Sequence, residues 1–482
     1  MTQAPFTTVP DTDAYLDHCI RRFSDQSEDQ ALFHLDYTLT AEWLPTAPEL
    51  RLQGIYLLTR QPGAPNHSRG VTALAPLCSD AVGIQGVVCE AGQRPDLNAN
   101  PTRTLRNFAR ENRLPIIDFC DPFLLHPATI EKPWGREIWY SGMEERGTTC
   151  ITDGVGCSPL PWLLSLAPAR LCAQKAITLM KILAPVADDP LGNLYFEVHR
   201  SKHEIYVVTG IDASAPAQAF KGKTTPPAAG FVRLGMNPER RKRFNSDREF
   251  LAAYQAAVAD YRVVRTEIDA LLDQEKRRNG YASCEVVQPQ LQRQWLNQID
   301  PALYQKETLA RAFMNQFTQR FQLQLGDLVE VPPGLPHALQ HGVEVLEFQT
   351  PVYERSILSF EQQTLTQNYW DTEAVLNQLS LEDAKDRIHP EKELVNKSVV
   401  ARFDNTSLYC IRLKPGATFR INPADYGVGY ILAGEFQLQN QVLLSQGAGF
   451  LLSRCLLATG CELTAHGSLP SLCYLALENM RS

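Results

Sequence analysis

The run Tyr195-Phe-Glu-Val-His-Arg-Ser-Lys-His-Glu-Ile-Tyr-Val-Val-Thr-Gly210 sets two apolar segments around a polar knot. Side chains alternate across a strand, so Glu197 and His199 point to one face. The polar break from Arg200 to His203 permits a turn that returns Glu204, at the head of the apolar segment Ile205 to Val208, beside them. This reads as a β-hairpin carrying half of a metal site. A second stretch, Leu325-Gly-Asp-Leu-Val-Glu-Val-Pro-Pro-Gly-Leu-Pro-His-Ala-Leu339, places His337 just after a Pro/Gly corner that follows a β-rich run. Two histidines and two carboxylates, Glu197, His199, Glu204 and His337, make a set suited to zinc or another first-row divalent ion. A carboxylate opening an apolar strand is a liability unless paired or metal-bound, which favours Glu204 as a ligand. Glu197 stays open between ligation and an ion pair with Lys202.

Between these two stretches lies the clearest helix of the chain, Ser246 to Asn279. Ser246 and Glu249 form a capping box, and Phe250, Tyr254, Val258, Tyr261, Val264, Ile268, Leu271 and Leu272 recur at spacings of three and four. Asn279-Gly280 ends it. A second helix starts at Asp300-Pro301, with Asp as N-cap and Pro at the first position, and runs to about Met314. Their apolar stripe is core packing.

Farther out, Phe321 to Leu325 and Val343 to Phe348 read as strands, and the apolar run Trp162 to Leu166 reads as another. After a polar helical linker, 361–399, an all-β unit spans 400–482, with runs at Leu408 to Leu413, Gly429 to Gly434, Phe436 to Leu444 and Gly449 to Leu452. It has no histidine before His466 and is expected to hold no metal. Residues 1–125 read as a small α/β domain: strands at Leu52 to Leu58, Gly83 to Glu90 and Leu114 to Cys120, with a helix over Thr102 to Asn112, joined as a βαβ unit.

Composition limits the function classes. The chain has 482 residues, 44% hydrophobic and 21% charged, enough for two or three domains. A net charge of −8 gives no support to general nucleic-acid binding. The N-terminus lacks a basic segment followed by an apolar one, and no apolar run approaches the ~20 residues of a membrane span. A soluble cytoplasmic protein is expected, with no nucleic-acid or membrane partner. Twelve cysteines are scattered without a CxxC pair, which reads as isolated thiols rather than a cysteine metal site.

In these motifs the sequence resembles the type I phosphomannose isomerases, zinc enzymes of the cupin fold. That family has an apolar strand ending in Gln-x-His, a Lys-x-Glu soon after, a Pro-x-Gly-x-x-His-Ala loop, and then a glutamate and an arginine. Here these stand as Glu197-Val-His199, Lys202-His-Glu204, Pro332-Pro-Gly-Leu-Pro-His337-Ala, Glu347 and Arg355. Lys132-Pro-Trp-Gly135 with Glu137 and Trp139, Leu179-Met-Lys-Ile-Leu183, and Phe231-Val-Arg-Leu-Gly-Met236 extend the resemblance over about 131–360. Three features depart from it. Glu197 replaces the Gln, Arg200 replaces the Pro that follows the first ligand, and the spacer before Lys-x-Glu is shorter. A second carboxylate makes the ligand set more negative, holding a divalent ion tightly while lowering its Lewis acidity.

The resemblance implies a mainly β chain with α insertions. Its expected parts are a catalytic cupin jelly roll over 126–360 with a helical insertion at about 238–316, a second cupin over 400–482, and the extra α/β domain. It implies one zinc per chain and the interconversion of mannose 6-phosphate and fructose 6-phosphate through a cis-enediol. Glu347 is then a candidate proton carrier, with Lys202 and Arg355 polarising oxygens or holding the sugar's anionic group. A cupin that binds a sugar phosphate without catalysis, and a cupin isomerase or epimerase of another sugar, are the alternatives.

Overall fold

The computed structural model describes residues 11–61, 82–92, 95, 100–172, 176–212, 230–394, 398–438 and 442–480. It is mainly β, built of several antiparallel sheets, and the chain divides into two compact units, each made of separate stretches of sequence.

The unit that holds the candidate metal ligands spans 129–138 and 181–396. Its strands are β1 (Ala128–Lys132), β2 (Gly135–Trp139), β3 (Leu179–Pro185), β4 (Phe196–Val198), β5 (Glu204–Ile211), β6 (Gly230–Met236), β7 (Thr318–Leu323), β8 (Leu328–Val331), β9 (His337–Leu339), β10 (Val343–Gln349), β11 (Ser356–Ser359) and β12 (Ile388–His389). A seven-stranded sheet runs β12-β8-β5-β10-β3-β2-β1, and a five-stranded sheet runs β7-β6-β9-β4-β11. The apolar faces of both close on one core: Tyr206, Val208, Val329, Val331 and Val345 come from the first sheet, and Val232, Leu234, Leu323, Leu339 and Ile357 from the second. Burying these β-branched and aromatic side chains removes apolar surface worth about 1.5–3 kcal/mol for each fully buried residue, before the entropy of ordering is charged.

The outer face of the five-stranded sheet is covered by helices. Phe196, Val198, Met236 and Ala338 pack there against Phe250, Tyr254, Val258 and Tyr261 of helix α1 (Asp247–Arg278). The cap forms as expected. Ser246 Oγ accepts the Glu249 N–H at 3.2 Å, while the Glu249 carboxylate takes the N–H of Asn245 at 3.1 Å, one residue before the cap. Gly280, at φ 80°, takes the left-handed conformation that ends the helix. Leu271 is half-buried, while the rest of the expected stripe is buried. Helix α2 spans Pro289–Leu296, and α3 spans Pro301–Asn315, with Asp300 Oδ1 accepting from Ala302 N–H at 3.0 Å. Helix within 361–394 is limited to single turns, such as Thr372–Val375 and Glu391–Leu394, beside the short strand β12, and the end of the expected linker, 395–397, lies outside the described residues.

The other unit spans 1–128, 139–180 and 397–482. Thr406–Leu413, Tyr426–Ala433 and Gly449–Leu452 appear at the expected tail runs, in an eight-stranded sheet that also takes in Phe123–His126 beside Gly449–Leu452. The expected run Phe436 to Leu444 is split into Glu435–Leu438 and Leu443–Ser445. Three sequence expectations are corrected here. Trp162 to Leu166 is not a strand: Leu160–Leu164 is a short helix with Pro161 in its first turn, where a missing N–H costs nothing. The βαβ unit is also absent, because Val82–Glu90 pairs antiparallel with Ile117–Asp118, Gln85 opposite Asp118. Helix Pro101–Asn112 therefore connects antiparallel rather than parallel strands. Among the described residues, ten cysteines are free thiols, whereas Cys455 is disulfide-bonded, contrary to the expectation of isolated thiols.

Candidate metal centre

Strand register places the first two ligands. Glu197, the middle residue of β4, is the direct antiparallel partner of His337 at the start of β9, and His337 is also paired with Leu234 of β6. Phe196 and Val198 turn outward to the helical core, so alternation sends Glu197 and His199 inward. The His337 corner is fixed by Gly334, which sits at φ 82° and donates its N–H to the His199 carbonyl at 2.8 Å, tying the two histidine segments together. A Cβ at Gly334 would be strained by that backbone conformation and would approach Gln378 O to 3.3 Å. Across the hairpin turn, Glu354 gathers the backbone N–H groups of Ser201 and Lys202, the latter at 2.8 Å.

One ligand atom each from Glu197, His199 and His337 lies within 4.8 Å of the others, and both histidines are buried, 2% and 1% exposed. His337 Nδ1 lies 3.1 Å from Leu335 O, and a hydrogen on this nitrogen would leave Nε2 free to face the cluster as a ligand atom. Nε2 of His337, both ring nitrogens of His199 and Oε2 of Glu197 are buried without a hydrogen-bond partner. Buried polar atoms are seldom left so, and a cation in their midst would satisfy them. On this observation the residues fit a divalent ion.

Glu204 heads β5 and touches both histidines, Oε1 3.3 Å from His199 Nε2 and Oε2 3.1 Å from His337 Nε2. It is also engaged by Lys202 Nζ at 2.5 Å and by the Tyr206 hydroxyl at 2.6 Å. Burial alone would raise its carboxyl, but Lys202 first and His199 next hold it well below the usual range. Burial lowers His199, against the pull of Glu204. At His337 burial also acts downward, yet the contact with Glu204 outweighs it and raises the imidazole. Of the four ligands expected from sequence, three converge and the fourth bridges the two histidines.

The other expected residues lie around this cluster. Lys202 is 6% exposed and bound to Glu204. Arg355 reaches Glu197, Nε to Oε2 at 3.8 Å, with its guanidinium over the Tyr195 ring at 4.5 Å. Its Nη2 donates to Thr366 Oγ1 at 3.1 Å. Glu347 is opposite Tyr206 across β5 and β10, two residues deeper along the face that carries Glu204. Burial pushes its carboxyl well above the usual range, against Lys181, whose Nζ stands 3.3 Å away. Lys181 itself stays protonated: burial acts downward, and Glu347, Glu137, Glu204 and Glu197 together outweigh it.

Tyr206, Lys181 and Tyr195 were not identified as site residues from sequence. Tyr206 is two residues beyond Glu204 on one strand and so shares its face, and Lys181 is a charge inside an apolar strand. Both are usable signals. Tyr195 had none.

No family model and no curated protein sequence matches the chain. Solved structures do. The mannose 6-phosphate isomerase from Bacillus subtilis is 12% identical at a TM-score of 0.46, covering 74% of this chain and 99% of that one. A putative mannosephosphate isomerase from Archaeoglobus fulgidus is 12% identical at 0.46, covering 75% and 99%. A mutant phosphomannose isomerase from Salmonella typhimurium is 12% identical at 0.46, covering 74% and 99%. Over about three quarters of its length, at low identity, the chain is similar to phosphomannose isomerases of known structure.

Proposed function

We propose that this chain is a metal-dependent aldose–ketose isomerase that interconverts mannose 6-phosphate and fructose 6-phosphate. The observation that carries the reading is the convergence of Glu197, His199 and His337, with their orphaned ligand atoms, beside Lys202 and Arg355. These are the motifs in which the sequence resembles the type I phosphomannose isomerases. On this reading the two facing sheets are a cupin jelly roll, 238–316 is its helical insertion, and 400–482 is a second, metal-free cupin.

The three converging residues would hold the ion, with Glu204 completing the set, and nitrogen and carboxylate donors suit zinc. A bound divalent ion supplies a positive centre that favours negative charge on sugar oxygens. The protein's own groups do the rest. Isomerisation moves a proton between C1 and C2 and builds charge on two oxygens, so it needs a proton carrier and fixed cations. Arg355 cannot be deprotonated near neutrality and offers a planar fork, which fits it to hold the phosphate or the enediolate. Tyr195, under the guanidinium, fixes its plane. Lys202, anchored by Glu204 and by its own N–H to Glu354, is the second oxygen-holding cation. Burial holds the Glu347 carboxyl well above its usual range, and Glu347 is the candidate carrier, with Lys181 poised to stabilise its ionised form.

A non-catalytic sugar-phosphate binder is the competing reading, favoured by the engagement of Glu204 with Lys202 and Tyr206. A coupled assay of fructose 6-phosphate formation from mannose 6-phosphate, run on metal-loaded protein, decides between them. Turnover lost in His337→Ala supports the isomerase. Binding without turnover, across a panel of phosphorylated and free aldoses, sinks it.

A further inference from the structure

Lys202 and Arg355, the two cations assigned to hold substrate oxygens, both stand on loops. Lys202 lies in the turn between β4 and β5, and Arg355 closes the segment 350–355 between β10 and β11. Loop backbone is mobile unless something ties it, and a cation reaching toward a substrate from an untied loop loses the fixed geometry that catalysis needs.

The two loops are tied to each other. The pairing of β5 with β10 ends at Glu204 opposite Gln349, and two bonds carry it one step further: Thr350 N–H donates to His203 O at 3.0 Å, and His203 N–H donates to Thr350 Oγ1 at 3.1 Å. Gln349 shapes the first half of the segment, its Nε2 donating to the carbonyls of Thr350 at 3.2 Å and Val352 at 3.1 Å. Glu354 fastens the second half. Its Oε1 accepts from the N–H of Ser201, from the N–H of Lys202 at 2.8 Å and from the Ser201 hydroxyl at 3.0 Å. Hydrogen bonds to an ionised carboxylate are roughly twice as strong as neutral ones. One oxygen therefore holds the backbone of Lys202 and, through the next residue in the chain, the backbone of Arg355.

We propose that Glu354 is a positioning residue for the isomerisation, its Oε1 setting Lys202 and Arg355 relative to each other and acting through them rather than on the substrate. The proposal rests on the isomerase reading of the site. The metal ligands are held by other means: Glu197 and His337 by strand register, Glu204 by its place at the head of β5, and His199 by the Gly334 N–H on its carbonyl. Removing Glu354 should thus disturb the cations and spare the ion. The position needs an acceptor at this reach. Glutamine keeps an amide oxygen on a side chain of the same length, whereas alanine keeps none.

The test compares wild type, Glu354→Gln and Glu354→Ala as full-length, zinc-loaded proteins. Three measurements are made: metal content by elemental analysis, steady-state kinetics with mannose 6-phosphate, and hydrogen exchange of peptides spanning 199–205 read by mass spectrometry. Glu354 is partly exposed on a loop, so neither change removes core packing. Full metal content is expected in all three proteins. In Glu354→Ala, kcat should fall by about 10²-fold, the loss that a misplacement of about 1 Å produces, and exchange at the turn should accelerate. Glu354→Gln should recover kcat to within about tenfold of wild type and keep the turn protected, because its acceptor remains although its charge does not. Wild-type kcat in Glu354→Ala overturns the proposal. So does an equal loss in both variants, since charge rather than acceptance would then be at work, and so does loss of metal from Glu354→Ala. Absence of turnover in wild type sinks the isomerase reading instead, and the exchange measurement still decides the clamp: unchanged exchange in Glu354→Ala overturns it.

Discussion

Replacing Lys202 by Met isolates the charge balance of the candidate metal centre. Lys202 Nζ is the cation nearest the Glu204 carboxylate, at 2.5 Å, and both side chains are nearly inaccessible, 7% and 2% exposed. Methionine keeps the length of the chain and removes the charge. Without metal, the variant leaves a carboxylate buried beside two histidines that burial itself disfavours charging, and stranding one partner of a buried pair costs about 3–5 kcal/mol. For a unit of this size, a shift of about 2–4 °C per kcal/mol puts the expected fall in melting temperature at roughly 6–20 °C. A divalent ion supplies the missing positive charge. By mass action, an ion at a hundred times its Kd stabilises by about 2.7 kcal/mol, and at a thousand times by about 4.1, so saturating zinc should offset most of the loss. Differential scanning calorimetry of metal-stripped and zinc-loaded protein, wild type against variant, reads both quantities. The expected pattern is a large deficit for the stripped variant and a gain on loading that exceeds the wild-type gain. Equal gains in the two proteins, or a stripped variant as stable as stripped wild type, would refute the placement of Glu204 in the ion's coordination.

Three further outcomes are expected. His199→Ala and His337→Ala should each lose bound metal by elemental analysis, and full occupancy in both would remove the cluster as a metal site. Arg355→Ala should lower kcat/KM for mannose 6-phosphate by about 10²-fold if the guanidinium meets the developing oxyanion, with Arg355→Lys recovering little because the planar fork is lost; if it meets only the ground-state phosphate, KM rises instead and kcat holds. Wild-type kinetics in Arg355→Ala would exclude both roles. Glu361 supplies the pH test: burial alone would raise it, but Arg311 first, then Arg233, hold its folded-state pKa below the ordinary value near 4.5. A depressed carboxyl contributes stability that is complete above the unfolded value and is lost as pH falls through the folded one. The stability gap between wild type and Glu361→Gln should therefore be constant from pH 7 to 5 and narrow below about pH 4.5, as urea denaturation at each pH would reveal. A gap that persists at pH 3 would mean that the ionised form is not what stabilises.

The ligand cluster was legible because its spacing is local. Glu197 and His199 stand two apart on one strand, Glu204 follows a polar turn, and a Pro/Gly corner precedes His337. Helix α1 was legible for a similar reason, since cap, stripe and terminator all lie within one continuous segment. What periodicity cannot encode is the choice of a distant partner. Nothing near Gly449 indicates that it pairs with Leu125, and the helix between Glu90 and Ile117 leaves the direction of the strands it joins undetermined. A five-residue apolar run is equally ambiguous, and at Trp162 the deciding residue was Pro161. The charges hidden along the inner faces, Lys181 against Glu347, became visible only once β3 and β10 lay side by side. Arg233 and Arg320, antiparallel partners on β6 and β7, are 87 residues apart in sequence, on opposite sides of the helical block.

The rung joining Glu197 to His337 gives the candidate metal centre the character of a caliper. Strands in a sheet sit about 4.7–4.9 Å apart, and β4 is held on both sides, by β9 and by β11, so the span between these two ligands cannot widen without breaking hydrogen bonds along both edges. His199 lies one residue past β4 and has only the Gly334 N–H holding its carbonyl. One jaw is fixed by the lattice of the sheet, and the other is sprung. On the proposed reading, an ion would find the backbones of Glu197 and His337 at a spacing set by the sheet, and adjustment to its radius would fall to the Glu197 side chain and to His199.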